Sequence, residues 1–283
     1  MIALQPVRTE GGIPAGFRGS KREDKELRLL MAKRDGTLKA LFDSKPWGPA
    51  KDQLRTESRV KCAYCESPAE SQHGDVEHLR PKSIWWWLAC CYDNYVFSCQ
   101  ICNQSFKGDK FPLATAQATP LGEPKVKSTD ADVKLRGLVG TFAPDPVATT
   151  KGRTQKAYLK DCTREKPLLP HPCQENPEDF FVYEAVPPVG PVRGQVLVRP
   201  RKPAHQARMT ACEECFGINR ERLAEQRWLR FSELDKARKL LDLVPAALKP
   251  DIQALLAEMM APEKSYAGMA RYFVREVWQV PGL

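Results

Sequence analysis

Histidine is scarce in this chain, with four among 283 residues. That leaves few places where imidazole chemistry can reside. Long apolar runs are missing too. The longest, IWWWLACCY from Ile84 to Tyr92, falls far short of the ~20 residues a membrane-crossing helix needs, so no membrane contact is expected. The opening MIALQPVRTEGG lacks the continuous apolar stretch of a secretory signal, and the expected location is cytoplasmic. Acidic residues are outnumbered, 35 against 44 Lys and Arg, for a net charge of +9 and a pI near 9.0. That balance fits an anionic partner, nucleic acid above all, or else a merely basic surface. There is no internal repeat. An apolar share of 42% and a mean hydropathy of -0.47 are those of a folded globular chain.

Cysteine is not scarce. In a reducing compartment ten thiols are not a disulfide scaffold. CAYC and CQIC each place two cysteines at Cys-x-x-Cys spacing, Cys62 with Cys65 and Cys99 with Cys102. A redox pair of the thioredoxin kind needs a βαβ context, which is missing here. Four thiolates in two knuckles are what a closed, tetrahedral structural Zn²⁺ takes. A third pair, Cys212 and Cys215, could join Cys162, His171 and Cys173 in a second metal site, or these could be half-buried thiols.

Apolar spacing over Lys25–Phe42 predicts one kinked helix or two short ones around Gly36. PAKDQLRTESRVK reads as a polar helix. The segment 112–147, rich in Pro, Thr, Ala and Gly, reads as a linker or surface excursion. DFFVYEAV and GQVLVRP predict a β-hairpin. Apolar stripes ending at Pro245 and recurring through Ile252–Met259 and Tyr266–Val277 predict closing helices whose stripes are core.

Between the knuckles lie DVEHLRPKS and YDNYVFSC, and the second knuckle runs into CNQSFKGDK. This arrangement resembles the HNH endonucleases, whose shared core is a ββα-metal finger. It is most similar to the members found with retrons and in Septu-type phage defence. The likeness is specific over the finger and weaker beyond it, in LLPHPCQENPEDFFVYE and GINRERLAEQR. It implies an α+β fold, with the zinc-stabilised finger (60–112) set in a mainly helical protein that carries a small hairpin in its second half. The division expected is a nuclease region with its helical lead-in at 1–125, and an accessory region at 126–283.

The resemblance also implies roles. His78 would be the general base for phosphodiester hydrolysis, and Glu77 and Asn103 the ligands of a catalytic Mg²⁺ or Mn²⁺. Asn94 would brace the loop carrying His78. An ideal strand turns Glu77 and His78 to opposite faces, so both serve one site only if the backbone bends. Many HNH enzymes have Asp where this chain has Glu77. Asn94 could instead be a turn residue, and Asn103 a polar residue on a first helical turn.

Arg80, Lys82 and Lys107 are candidates to grip phosphate, with a solvated charge as the alternative for Lys82. The tryptophans at 85–87 could stack bases or pack as core. The implied partners are DNA, with RNA possible, and an ATPase subunit. A non-catalytic zinc module that binds nucleic acid or scaffolds a complex is the alternative class.

Overall fold

A computed structural model of the chain describes residues 1–69, 74–115, 122–148 and 152–283. Gly36, at a left-handed φ of 70°, divides the first apolar stripe into α1 (Gly19–Arg34) and α2 (Leu38–Asp43). A side chain is costly in that conformation, so the glycine sets the break. α1 buries Leu29 and Leu30. Its Arg22–Glu26 ion pair reaches segment 140–145, where Glu26 accepts from Gly140 N at 2.7 Å and Arg22 donates to Ala143 O at 3.2 Å. The Asp145 carboxylate in turn accepts from Gly19 N at 2.7 Å, satisfying a free donor at the helix start.

The α2–α3 connection leads into α3 (Lys51–Glu57), a short helix within the expected polar segment. β1 (Asp75–His78) then pairs antiparallel with β2 (Tyr95–Ser98), with Glu77 opposite Val96 and His78 opposite Tyr95. A π-helical segment, Ile101–Lys107, follows directly. Trp85, Trp86 and Trp87 lie in the β1–β2 connection, all buried. No single helix face could hold three adjacent indoles, but this irregular connection is enclosed on several sides. Trp85 Nε1 donates to Glu165 at 2.9 Å and Trp86 Nε1 to Glu123 at 2.8 Å. They are core, not a stacking platform.

Part of the 112–147 segment, residues 116–121, lies outside the described residues. The remainder includes α4 (Asp132–Leu138), which buries Leu135. α5 (Gln155–Arg164) precedes the second hairpin, β3 (Phe181–Val186) with β4 (Gln195–Pro200). α6 (Gln206–Phe216) packs on the π-helical segment, while α7 (Glu221–Leu243) lies along β4 and α8 (Lys249–Met259). α7 stops just before Pro245, and α9 (Ala267–Arg271) runs into a π-helical end, Tyr272–Val277. One buried apolar cluster draws on both expected regions, from Leu29 through Trp87 and Cys102 to Phe216 and Val274. Among the described residues no helix is long and apolar enough to cross a membrane.

Candidate metal centre and adjoining groove

The two knuckles converge. The four Sγ atoms of Cys62, Cys65, Cys99 and Cys102 lie within 4.8 Å of one another, and all four residues are buried. Tetrahedral zinc with Zn–S bonds of ~2.3 Å sets its sulfurs nearly 4 Å apart. The Cys65 and Cys99 sulfurs stand at 4.0 Å. Hydrogen bonds among the four thiols pull Cys65 and Cys99 below the usual range, while burial holds Cys62 above it and neighbouring thiols hold Cys102 above it. Soft donors in this number and spacing fit Zn²⁺.

Arg220 leans on the cluster, with Nη1 3.6 Å from Cys102 Sγ and Nη2 3.8 Å from Cys65 Sγ. Its charge offsets part of the negative charge of four thiolates. GINRERLAEQR was notable in the sequence, but nothing local marked its first arginine for this role.

The second proposed metal set does not assemble. Among the described residues only the finger cysteines converge with ligand spacing. Cys212 and Cys215 are buried on α6 and Cys162 on α5. Both nitrogens of His171 are engaged: Nδ1 accepts from Cys173 N and Nε2 donates to Asp93 O, each at 3.2 Å.

Beside the cysteine cluster the hairpin borders an open groove of about 520 Å³, lined by Asp75, Glu77, His78, Lys82 and Asn103 together with Lys45, Trp47 and Lys51. Strand alternation places Asp75 and Glu77 on one face, toward the π-helical segment. Glu77 is buried against Lys107, whose Nζ stands 2.7 Å from its Oε1. Burial pushes the Glu77 carboxyl up to about 7, with Lys107 opposing. Asp75 accepts from Asn103 Nδ2 at 3.1 Å and from Gln104 Nε2 at 2.8 Å. The first of these bonds fixes the Asn103 amide and leaves its Oδ1 as the free acceptor. Carboxylate and amide oxygens are the hard donors Mg²⁺ or Mn²⁺ prefers, so the residues fit such an ion.

His78 lies at the strand's end, where both it and Glu77 reach the groove. Its Nε2 is 3.0 Å from Ala89 O. A carbonyl only accepts, so Nε2 carries the proton and Nδ1 keeps the lone pair. Trp47 and Tyr95 hold the ring edge-on, at centroid distances of 4.7 and 5.0 Å. Burial pushes the imidazole down to about 3, so it is neutral near pH 7. Behind it, Asn94 is fully buried and engages both backbone polar groups of Arg80: Oδ1 accepts from Arg80 N at 2.9 Å and Nδ2 donates to Arg80 O at 3.0 Å.

The basic candidates divide. Lys82 lines the groove, 5.3 Å from the Trp47 ring. Arg80 does not: it is 2% exposed, its Nε donating to Glu165 at 2.6 Å and its Nη2 to Cys162 O at 3.3 Å. Lys107 is fully buried, bridging Glu77 and the His78 carbonyl, to which it donates at 3.0 Å. Neither presents a free cation to a phosphate, because each neutralises a buried carboxylate. Trp47 and Asp75 went unassigned in the sequence. Alternation from Glu77 marks Asp75, whereas no local signal marks Trp47.

Compared with known proteins, an alignment 77 positions long that covers 22% of this chain is 34% identical to Septu protein PtuB of Bacillus mycoides (strain KBAB4). The match spans 26% of that protein's own length. No family model matches the chain, and no solved structure matches it.

Proposed function

We propose that the chain is a metal-dependent HNH endonuclease that hydrolyses DNA phosphodiesters as the effector of a Septu-type phage-defence system, acting with an ATPase partner. The observation that carries the reading is the meeting of Glu77, His78 and Asn103 on one groove, at a hairpin and helical segment joined by four cysteines. The similarity to Septu protein PtuB supports the defence role. Hydrolysis needs a water that gives up a proton. His78 Nδ1 takes it, while Nε2–H stays on the Ala89 carbonyl and fixes the ring. The negative charge of a bound phosphate favours the imidazolium, raising the basicity that burial suppresses. Glu77 and Asn103 would hold Mg²⁺ or Mn²⁺, which supplies charge neutralisation at the phosphate and the leaving 3′ oxygen. Zinc in the cysteine cluster is structural, since four protein ligands leave no open position.

One observation favours the rival, a binding module without catalysis: Lys107 already neutralises Glu77. Cleavage assays on plasmid and RNA with Mg²⁺ or Mn²⁺, with and without a co-purified partner, separate the two. The nuclease cuts DNA in a divalent-dependent way. The module binds nucleic acid, leaves it intact and is indifferent to the weakly held metal.

A further inference from the structure

The α2–α3 connection, residues 44–50, brings to the groove side chains that its sequence did not advertise. Lys45 sits at a left-handed φ of 49°, a conformation costly for a residue with a Cβ. The loop is held there from beneath. Lys25 Nζ donates to Pro46 O at 2.7 Å, Gly48 N to Lys45 O at 2.9 Å and Ala50 N to Trp47 O at 2.9 Å. Trp47 then meets His78 edge-on and lies 5.3 Å from Lys82 Nζ. Lys45, Lys51 and Lys82 all line the groove. Among the described residues none of the three has an ion-pair partner within 4.0 Å, although many other cations of the chain are matched to acids. Asp75, Glu77 and Asp109 line the same groove. The groove therefore brings unmatched cations and acceptor oxygens together with His78.

Resting on the nuclease reading of this groove, we propose that the α2–α3 connection and the start of α3 form a DNA-backbone subsite, in which Lys45 and Lys51, with Lys82, hold phosphates flanking the one presented to His78. Lysines act on phosphate as point charges, and a wall of them positions a strand without reading its bases. Trp47 joins the wall to the reacting centre.

The test measures binding of a labelled DNA duplex across a salt series without added Mg²⁺ or Mn²⁺, and steady-state plasmid cleavage with Mn²⁺. It compares the wild type, Lys45→Gln/Lys51→Gln, and a control that removes two exposed lysines of α7 and α8, Lys236→Gln/Lys249→Gln. Each phosphate that is no longer neutralised by a lysine lowers the slope of log K against log salt by ~0.9, so the groove variant should fall by roughly 1–2 while the control does not. KM should rise on the order of tenfold for the groove variant with kcat held. Equal slopes for groove and control variants, or no binding by the wild type, overturn the subsite. Cleavage by the wild type with an unchanged slope removes the subsite and leaves the nuclease reading standing. A changed slope with no cleavage, with or without the co-purified partner, leaves the subsite as a place where DNA docks and removes the nuclease reading.

Discussion

Asn94 grips both backbone polar groups of one residue, accepting from Arg80 N at 2.9 Å and donating to Arg80 O at 3.0 Å, two residues beyond His78. We propose that this side chain holds the bend that brings Glu77 and His78 to one groove. Asn94→Ala leaves two buried backbone groups without partners, at about 1–3 kcal/mol each. Chemical denaturation should show a loss of a few kcal/mol. Asn94→Asp, which sets a buried carboxylate oxygen against Arg80 O, should be at least as destabilising as alanine. Equal stability of all three proteins would show that the loop holds its shape without the amide.

Arg80 and Lys82 lie two residues apart and should respond differently. Arg80→Met breaks a buried ion pair, depriving the Glu165 carboxylate of its arginine at about 3–5 kcal/mol. Its thermal midpoint should drop sharply. Lys82→Gln should keep the midpoint and lower the salt dependence of DNA binding. The reverse pattern would return Arg80 to the substrate.

The cysteine cluster makes a compositional prediction. Purified protein should carry one structural zinc per chain by elemental analysis. Cys99→Ser should lose it, along with several degrees of thermal midpoint and protection of the β1–β2 hairpin in hydrogen exchange. Retained metal in that variant would place the zinc elsewhere.

Acid lability follows from the two buried histidines, His78 and His171, and His171 tests it away from the groove. Burial holds its imidazole down to about 3, from an ordinary 6.5. A depressed pKa means that the unfolded chain binds the proton first. The stability is present above pH 6.5 and is lost as pH falls toward 3, by on the order of 5 kcal/mol in full. Protonation would also set Nδ1–H against the Cys173 N–H it now accepts from. His171→Gln, which keeps a donor for Asp93 O, should flatten the stability curve over that window. An unchanged slope would mean that other groups carry the acid response.

How much was legible depended on where a residue's partner lies. The knuckles announced themselves because ligand spacing is a local property, and the four thiols do converge. The break at Gly36 and the second hairpin also follow from neighbouring residues. Arg80 misled because its carboxylate lies 85 positions away, and no short-range pattern distinguishes a buried arginine from a phosphate-gripping one. Lys107 misled likewise, although its acceptor Glu77 was itself a candidate. Trp47 reaches His78 only through tertiary packing. Cys212 and Cys215 had the right spacing on a helix, with nothing among the described residues to complete a site.

The central claim is that His78 activates water. The direct measurement is nicking of supercoiled plasmid by wild-type and His78→Ala proteins in Mn²⁺, each shown to be folded and zinc-loaded. Loss of a positioned general base costs about 10²–10⁴-fold in rate, and a fall in that range with zinc content unchanged is the expected result. Undiminished cleavage by folded His78→Ala would contradict it.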